Sequence, residues 1–403
     1  MAAERTADGQ HSPGPQTEPE YYEPFDPEYI RHMLEGPFQG ALDNYFRPRL
    51  LGLEKMPVGG PAILASNHSG TAYPWDALAL DGLLWRRYDF RAETLCRPVF
   101  ERELSMAWWM RPFGIDNFWR RGGGVDMTFD NFHRLLERGD RVLYYPEGVA
   151  GIGKGFGRRY QLQRFSSSFI VQAARHQAPV VPIYTVNAEW VIPFNYTFGW
   201  LDRLVQKFHV PFFPMPAGPL TLLFPWMWYL SLPARMIFVV GDPIDVRARL
   251  EALGAVGIED PQREDARTVA EQIRQEMQAE LDRLVARRGR WPYQWRSLRR
   301  GLRRAWRRKA FHRSMPWGWP WAFLGHDRDR RRGPARNWLH GWLRDWDIAL
   351  YYVPLGWFPL ALVRRWRRPP CGYRGLSAAE RREQEGNFAW HLSERPLPPK
   401  PSI

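Results

Sequence analysis

His68 and Asp76 are the pair in this chain whose types and spacing best suit catalysis. They bound the segment Asn67-His68-Ser69-Gly70-Thr71-Ala72-Tyr73-Pro74-Trp75-Asp76. An aspartate that accepts a hydrogen bond from one imidazole nitrogen fixes the tautomer and stabilises the imidazolium. The other nitrogen is then a base for an attacking hydroxyl, typically worth ~10²–10⁴ in rate. Taken alone, a histidine near an aspartate is more often structural than catalytic. Ser69 beside His68 invites a hydrolase reading. No G-x-S-x-G elbow is present, however, and a nucleophile adjacent in sequence to its base has awkward geometry.

A second constellation is glycine-rich, running from Gly148 through Gly151 and Gly153 to Lys154 and Gly155. It approaches the phosphate-cradling loop G-x-x-x-x-G-K-[ST] and fails at its last position. Gly155 has no hydroxyl for a magnesium ion, and the preceding Pro146-Glu147 is foreign to that motif. Nucleotide hydrolysis is not expected on this ground. A Gly-rich turn followed by Lys154, Arg158 and Arg159 still suits a phosphate, and a plain surface loop fits the segment equally well. The ten histidines are scattered, with no H-E-x-x-H, and Cys96 and Cys371 are too far apart for a metal knuckle. No metal and no cofactor are expected. Two cysteines fit a reducing cytoplasm.

These residues need elements to hold them. Residues 61–66 (PAILAS) read as a buried strand ending at Asn67-His68, and residues 74–86 as a helix with proline near its first turn. Residues 126–138 read as a helix, 141–145 as a strand, 161–176 as a helix, and 179–186 and 236–240 as strands. Alternation of this kind predicts an α/β fold: a mostly parallel mixed sheet flanked by helices. Working residues in such sheets gather at the carboxyl ends of strands, where His68 and Glu147 both fall. Apolar residues from Ile30 to Tyr45 recur at helical spacing, predicting an amphipathic N-terminal helix over 27–46 packed on the core. A long helix is expected over 264–287.

Four segments in order resemble the glycerolipid acyltransferase superfamily, the lysophosphatidate acyltransferase-like proteins. Asn67-His68 through Asp76 is similar to its His…Asp block. Phe113-Gly114-Ile115-Asp116-Asn117-Phe118-Trp119-Arg120 is similar to the second block, Tyr145-Pro146-Glu147-Gly148 to the third, and Val180-Val181-Pro182-Ile183 to the fourth. The resemblance covers roughly 45–245. It implies that His68 is the catalytic base with Asp76 as its orienter. It implies that Arg120, Glu147 and Gly148, with Lys154, position the acceptor, and that Pro182 helps shape the acyl site. The co-substrate it implies is acyl-CoA or acyl carrier protein, and the acceptor a lysoglycerophospholipid such as lysophosphatidate. Two departures stand out. Seven residues separate His68 from Asp76 where the family has four, and Asn117-Phe118 replaces the family's usual Phe-Ile pair. The second keeps open a neutral acceptor such as diacylglycerol; the first keeps open a catalytically degenerate lipid-binding member.

The chain has 403 residues, 21 tryptophans and a net charge of +14, which together call for an anionic partner. Residues 1–22 are polar, without an apolar signal core, and read as a disordered tail. The acyltransferase domain is drawn at 23–290. Twelve of the 21 tryptophans lie beyond it, among arginine runs, so 291–403 reads as a basic aromatic membrane-associating region. Anionic lipids are the expected partner, on the cytoplasmic side of a membrane. Nucleic acid is the rival, and no RNA-binding signature supports it. The uncharged run 208–234 carries six prolines, and 348–363 is shorter than the ~20 residues of a simple span, so neither crosses a bilayer in an ordinary way. The second is expected to dip into lipid.

Overall fold

The computed structural model describes residues 27–69, 73–88, 96–100, 123–195, 220, 223–326, 328–329 and 333–366. The second resemblance block with Arg120, the turn 70–72, the tail 1–22, Cys371 and most of the run 208–234 lie outside these residues.

Seven strands form one mixed sheet: β1 (Arg49–Leu51), β2 (Ala62–Ser66), β3 (Cys96–Phe100), β4 (Val125–Asp126), β5 (Arg141–Tyr144), β6 (Val180–Val186) and β7 (Ile237–Val240). Their order across the sheet is β1-β7-β6-β2-β5-β3-β4. Every pairing is parallel except β6 with β7. The α/β architecture with a mostly parallel mixed sheet is therefore as expected. The helices are α1 (Pro27–Glu35), α2 (Trp75–Arg87), α3 (Phe129–Glu137), α4 (Gly148–Ile152), α5 (Ser168–His176), α6 (Val246–Ala252), α7 (Arg263–Arg288), α8 (Trp295–Arg307), α9 (Trp338–Ala349) and α10 (Trp357–Trp366), with shorter turns between them.

The central strands β2, β5 and β6 are buried along their whole length, as strands covered on both faces must be. Alternate residues face opposite layers. Ala62 and Leu64 join a core that includes α1 and α2, while Ile63 and Ala65 join one built with α3, α5, α6 and α7. On α7 the buried Ala266, Val269, Ala270, Ile273, Met277, Leu281 and Leu284 recur at three and four residues, one stripe of the helix.

Three expectations need correction. The N-terminal helix 27–46 is not continuous. It breaks at Gly36-Pro37, because proline cannot donate to the preceding turn, and resumes as a wide helical turn, Gly40–Phe46. Its apolar face packs on the core. The helix expected over 161–176 starts only at Ser168. The backbone N–H groups of Leu162 and Gln163 donate instead to Gln278 Oε1 (2.8 Å) and Glu147 Oε2 (2.7 Å), so the chain stays open there. The run 348–363 is not one apolar segment facing lipid. Ile348, Tyr351 and Leu360 are core residues, and the chain turns between them at Leu350–Tyr352 and at Leu355, whose φ is +56°.

The composition shift at 290 is also not a break in packing. Met315, Trp319, Phe323 and Leu324 belong to the same core as Trp75 and Phe46. Trp319 is fully buried, its ring 4.6 Å from that of Trp75 and 5.6 Å from that of Phe46. A buried ion network ties the following segment together: Arg328 pairs with Asp345 (2.8 Å) and Asp347 (2.5 Å).

Candidate active site

The site starts where β2 ends. The Asn67 side chain closes the strand like one more ladder rung: its Oδ1 accepts from Thr185 N–H (2.7 Å) and its Nδ2 donates to Thr185 C=O (3.2 Å) on β6. Ser66 Oγ lies 3.1 Å from Thr185 Oγ1. Pinned this way to its neighbour, β2 delivers the next residue, His68, at the carboxyl edge of the sheet.

His68 meets Asp76 across the long turn. Its Nδ1 lies 3.1 Å from Asp76 Oδ2, and the same oxygen accepts the Ser69 N–H at 3.0 Å. The seven-residue separation thus still yields the pair. Asp76 sits in the first turn of α2, where a carboxylate is favoured by the helix dipole. Burial alone would push its carboxyl up. The His68 ring and the N–H groups of Ser69 and Ala77 outweigh burial and hold it below the ordinary aspartate value. An anionic Asp76 keeps the proton on Nδ1 and leaves Nε2 as the basic nitrogen. The face of the imidazole is covered by Tyr145, stacked at 3.8 Å between ring centres with 12° between planes.

Glu147, Gly148 and Lys154 gather at the same place, with the two charged side chains directed at the main chain of His68. Glu147 is buried; its Oε1 accepts the His68 N–H (3.0 Å) and its Oε2 the Gln163 N–H (2.7 Å). Lys154 has no exposed side-chain surface, and its Nζ donates to the His68 C=O at 2.7 Å. Both main-chain groups of His68 are therefore held by charged side chains. A buried ammonium is costly unless paired. Lys154 Nζ is paired with Glu147 Oε2 at 3.7 Å and Glu189 Oε1 at 3.9 Å. Burial raises Glu189 to about 7, against the pull of Lys154. Lys154 is thus turned inward rather than offered to a phosphate.

Gly148 opens α4 with φ of +54°, a backbone conformation that glycine tolerates best. Arg158 and Arg159 lie on the exposed side of the loop, Arg159 over the rings of Phe156 and Trp190. Pro182 is buried in β6 beside Ala65, three residues before the Thr185 that holds Asn67.

Glu189 carried no sequence signal, and Tyr145 and Gly151 fell inside motifs without a role of their own. A Cβ on Gly151 would stand 2.7 Å from Glu147 Cβ and 2.9 Å from His68 Cβ, so α4 reaches its position only because that residue is glycine.

Residues 47–186 match the acyltransferase family model. An uncharacterized protein of Mycobacterium tuberculosis is 28% identical over 229 residues, covering 55% of this chain and 58% of that protein. One of Mycobacterium leprae is 28% identical over 273 residues, covering 66% of this chain and 67% of its own length. The chain thus spans 58% of the length of the first of these relatives. Among solved structures, the 1-acyl-sn-glycerophosphate (LPA) acyltransferase PlsC of Thermotoga maritima aligns with a TM-score of 0.36 and 14% identity, over 64% of this chain and 81% of that one.

Proposed function

From the match of residues 47–186 to the acyltransferase family model, we propose that this chain is a glycerolipid acyltransferase that moves a fatty acyl group from a thioester carrier to a lipid hydroxyl, with His68 as base. The observation that carries the reading is the mounting of His68: Nδ1 on an anionic Asp76, main chain clamped by Glu147 and Lys154, Nε2 left for the substrate.

The chemistry needs no acyl-enzyme. Nε2 takes the proton of the acceptor hydroxyl as its oxygen attacks the thioester carbonyl. The carbon–sulfur bond breaks, the carrier thiolate leaves, and the imidazolium returns the proton to it. Asp76 stabilises the imidazolium in between. The two clamps on the main chain serve orientation, which is where misplacement of about 1 Å costs most.

The acceptor is a lysoglycerophospholipid such as lysophosphatidate, the donor acyl-CoA or acyl carrier protein, and the work is phospholipid synthesis or remodelling at the cytoplasmic face of a membrane. Support for the membrane comes from the exposed tryptophans and leucines of the C-terminal segments beside the basic α8. Among the described residues no helix is long and apolar enough to cross a bilayer.

The test is a panel of labelled transfers with the folded full chain and its His68→Ala variant. Acyl-CoA is offered with lysophosphatidate, other lysophospholipids and diacylglycerol. We expect transfer to the phosphate-bearing acceptors and a loss on the order of 10²–10⁴ in the variant. Undiminished transfer by His68→Ala sinks the base assignment. Transfer to diacylglycerol alone replaces the acceptor, and no transfer to any acceptor marks a lipid-binding member.

A further inference from the structure

Arginines gather in a second place that contains none of the catalytic pair's residues. A cavity of about 230 Å³ lies between the turn Gly40–Phe46, the second half of α2, the approach to β7 and helix α8. Arg47, Arg86, Arg235 and Arg304 line it, with Asp43 as the one acid and Leu83 in the apolar wall.

The charges do not balance. Asp43 is taken by Arg86, whose Nη1 donates to Oδ1 at 2.5 Å while Nη2 donates to Leu34 C=O at 2.8 Å. Among the described residues no carboxylate pairs with Arg47, Arg235 or Arg304. Arg47 is only 8% exposed. Its Nη1 donates to the Tyr45 carbonyl and its Nη2 to the carbonyls of Pro233 (3.1 Å) and Tyr293 (2.9 Å), and its Nε is buried with no hydrogen-bond partner. Arg235 is set by Nε to Arg47 C=O (3.1 Å) and Nη1 to Gln294 Oε1 (2.5 Å).

A buried donor left unmade is costly, and an unpaired buried cation more so. Here two guanidinium groups are held against each other by carbonyls and an amide, with a third at the rim. Positive charge crowds the place: Arg47 is pulled down to about 10 by burial and by Arg235, while Arg235 is lowered by burial and by Arg49 and Arg300. An anion between them removes that repulsion and meets rigid donors, so little ordering is needed on binding. The cavity is smaller than the ~300–1,000 Å³ that drug-sized ligands fill, so it suits a compact headgroup and not an acyl chain.

We propose that this cavity binds a phosphate group, as a phosphate monoester or a diphosphate, through Arg47, Arg235 and Arg304. The same chemistry is offered by the phosphates of a nucleotide-bearing thioester carrier, by an anionic lipid headgroup and by free phosphate.

Binding of inorganic pyrophosphate to the full chain is measured by calorimetry at fixed ionic strength, with chloride as the reference. Arg304 is exposed and makes no ion pair among the described residues, so Arg304→Gln and Arg304→Glu should fold as wild type. The expected result is saturable pyrophosphate binding. It should weaken at least about tenfold in Arg304→Glu and less in Arg304→Gln, the size of a charge-assisted contact. Competition by coenzyme A assigns the ligand to the carrier, by phosphatidic acid vesicles to a headgroup, and by inorganic phosphate alone to the free ion. Pyrophosphate binding no better than chloride, or binding of wild-type strength in Arg304→Glu, overturns the proposal. Acyl transfer is assayed in parallel. The site falls alone if transfer persists without pyrophosphate binding. It stands alone if binding persists where the full chain transfers to no acceptor.

Discussion

Asp76 and Asp81 lie on the same helix, both buried, and titrate in opposite directions. Asp76 collects an imidazole and main-chain N–H groups, which hold it low. Asp81 meets the Cys96 thiol at 3.6 Å, a weak donor, and burial lifts it to about 8. The sign follows from linkage. Between about 4 and 8 the folded chain keeps a proton on Asp81 that the unfolded chain has lost, so this group's stabilisation is fully present below 3.8 and is lost as pH rises towards 8. Asp81→Asn removes that slope. Denaturant midpoints at pH 5 and pH 8 should therefore converge in the variant relative to wild type; equal losses in the two chains refute the assignment. At this scale His68 and Asp76 were legible, because a base and its orienter are recognised by type and order. The tasks of Glu147 and Lys154 were not. Residue type states a charge and its sign, whereas the direction of a side chain depends on what is packed around it. Both are aimed at the main chain of His68 because that residue offers, inside the protein, an N–H and a C=O that must be satisfied.

Helix α4 is only five residues long, yet it sets how closely the third block approaches the first. Its Gly151 leaves no room for a methyl group against Glu147 and His68, while Gly157, a few residues on, has nothing within 4 Å of an added Cβ. Gly151→Ala must shift α4 or His68 by several tenths of an ångström. We expect kcat to fall about 10²-fold with a small change in Tm, and Gly157→Ala to leave both unchanged. Equal activities in the two variants would remove α4 from the positioning of the base. The elements that hold the site were legible to different depths for a physical reason. Strands β2 and β6 were read almost to their ends, since a strand buried on both faces is apolar throughout and its limits show. The stretch 161–167 was read as helix because its pattern permits one. Its first N–H groups are satisfied by Gln278 and Glu147, distant in sequence, and local periodicity carries no trace of such partners. The N-terminal helix ends at Gly36-Pro37, where apolar spacing continues through the proline and the backbone hydrogen-bond ladder does not.

Tryptophan is used in two ways across the molecule, and composition alone does not separate them. Trp75 and Trp319 are fully buried and join α2 to the segment beyond 290, so removing residues 291–403 would strip the core and abolish the fold rather than test a membrane anchor. Trp306 and Trp317, by contrast, are exposed. Contacts link them into a ridge. Trp306 packs edge-on against Phe311 (5.7 Å) and Phe311 faces Trp317 (6.4 Å). Tyr352 donates to the Trp317 carbonyl, and Leu355 N–H donates to Leu223 C=O at 2.6 Å. Val353, Leu355, Phe358 and Leu362 continue the ridge outward, and the exposed Arg303, Arg307 and Arg308 stand at its Trp306 end. Aromatic and apolar residues rimmed by arginine match the two layers of an anionic bilayer surface, headgroup and acyl boundary. Point changes on the ridge leave the core intact and so isolate the surface. In flotation with vesicles containing anionic lipid, wild type should rise with the vesicles, and less so as salt is increased. Trp306→Glu combined with Phe358→Glu should abolish flotation while acyl transfer to a detergent-dispersed acceptor persists. A doubly substituted chain that floats as wild type does would take the ridge out of membrane binding and leave the basic charge to find another partner.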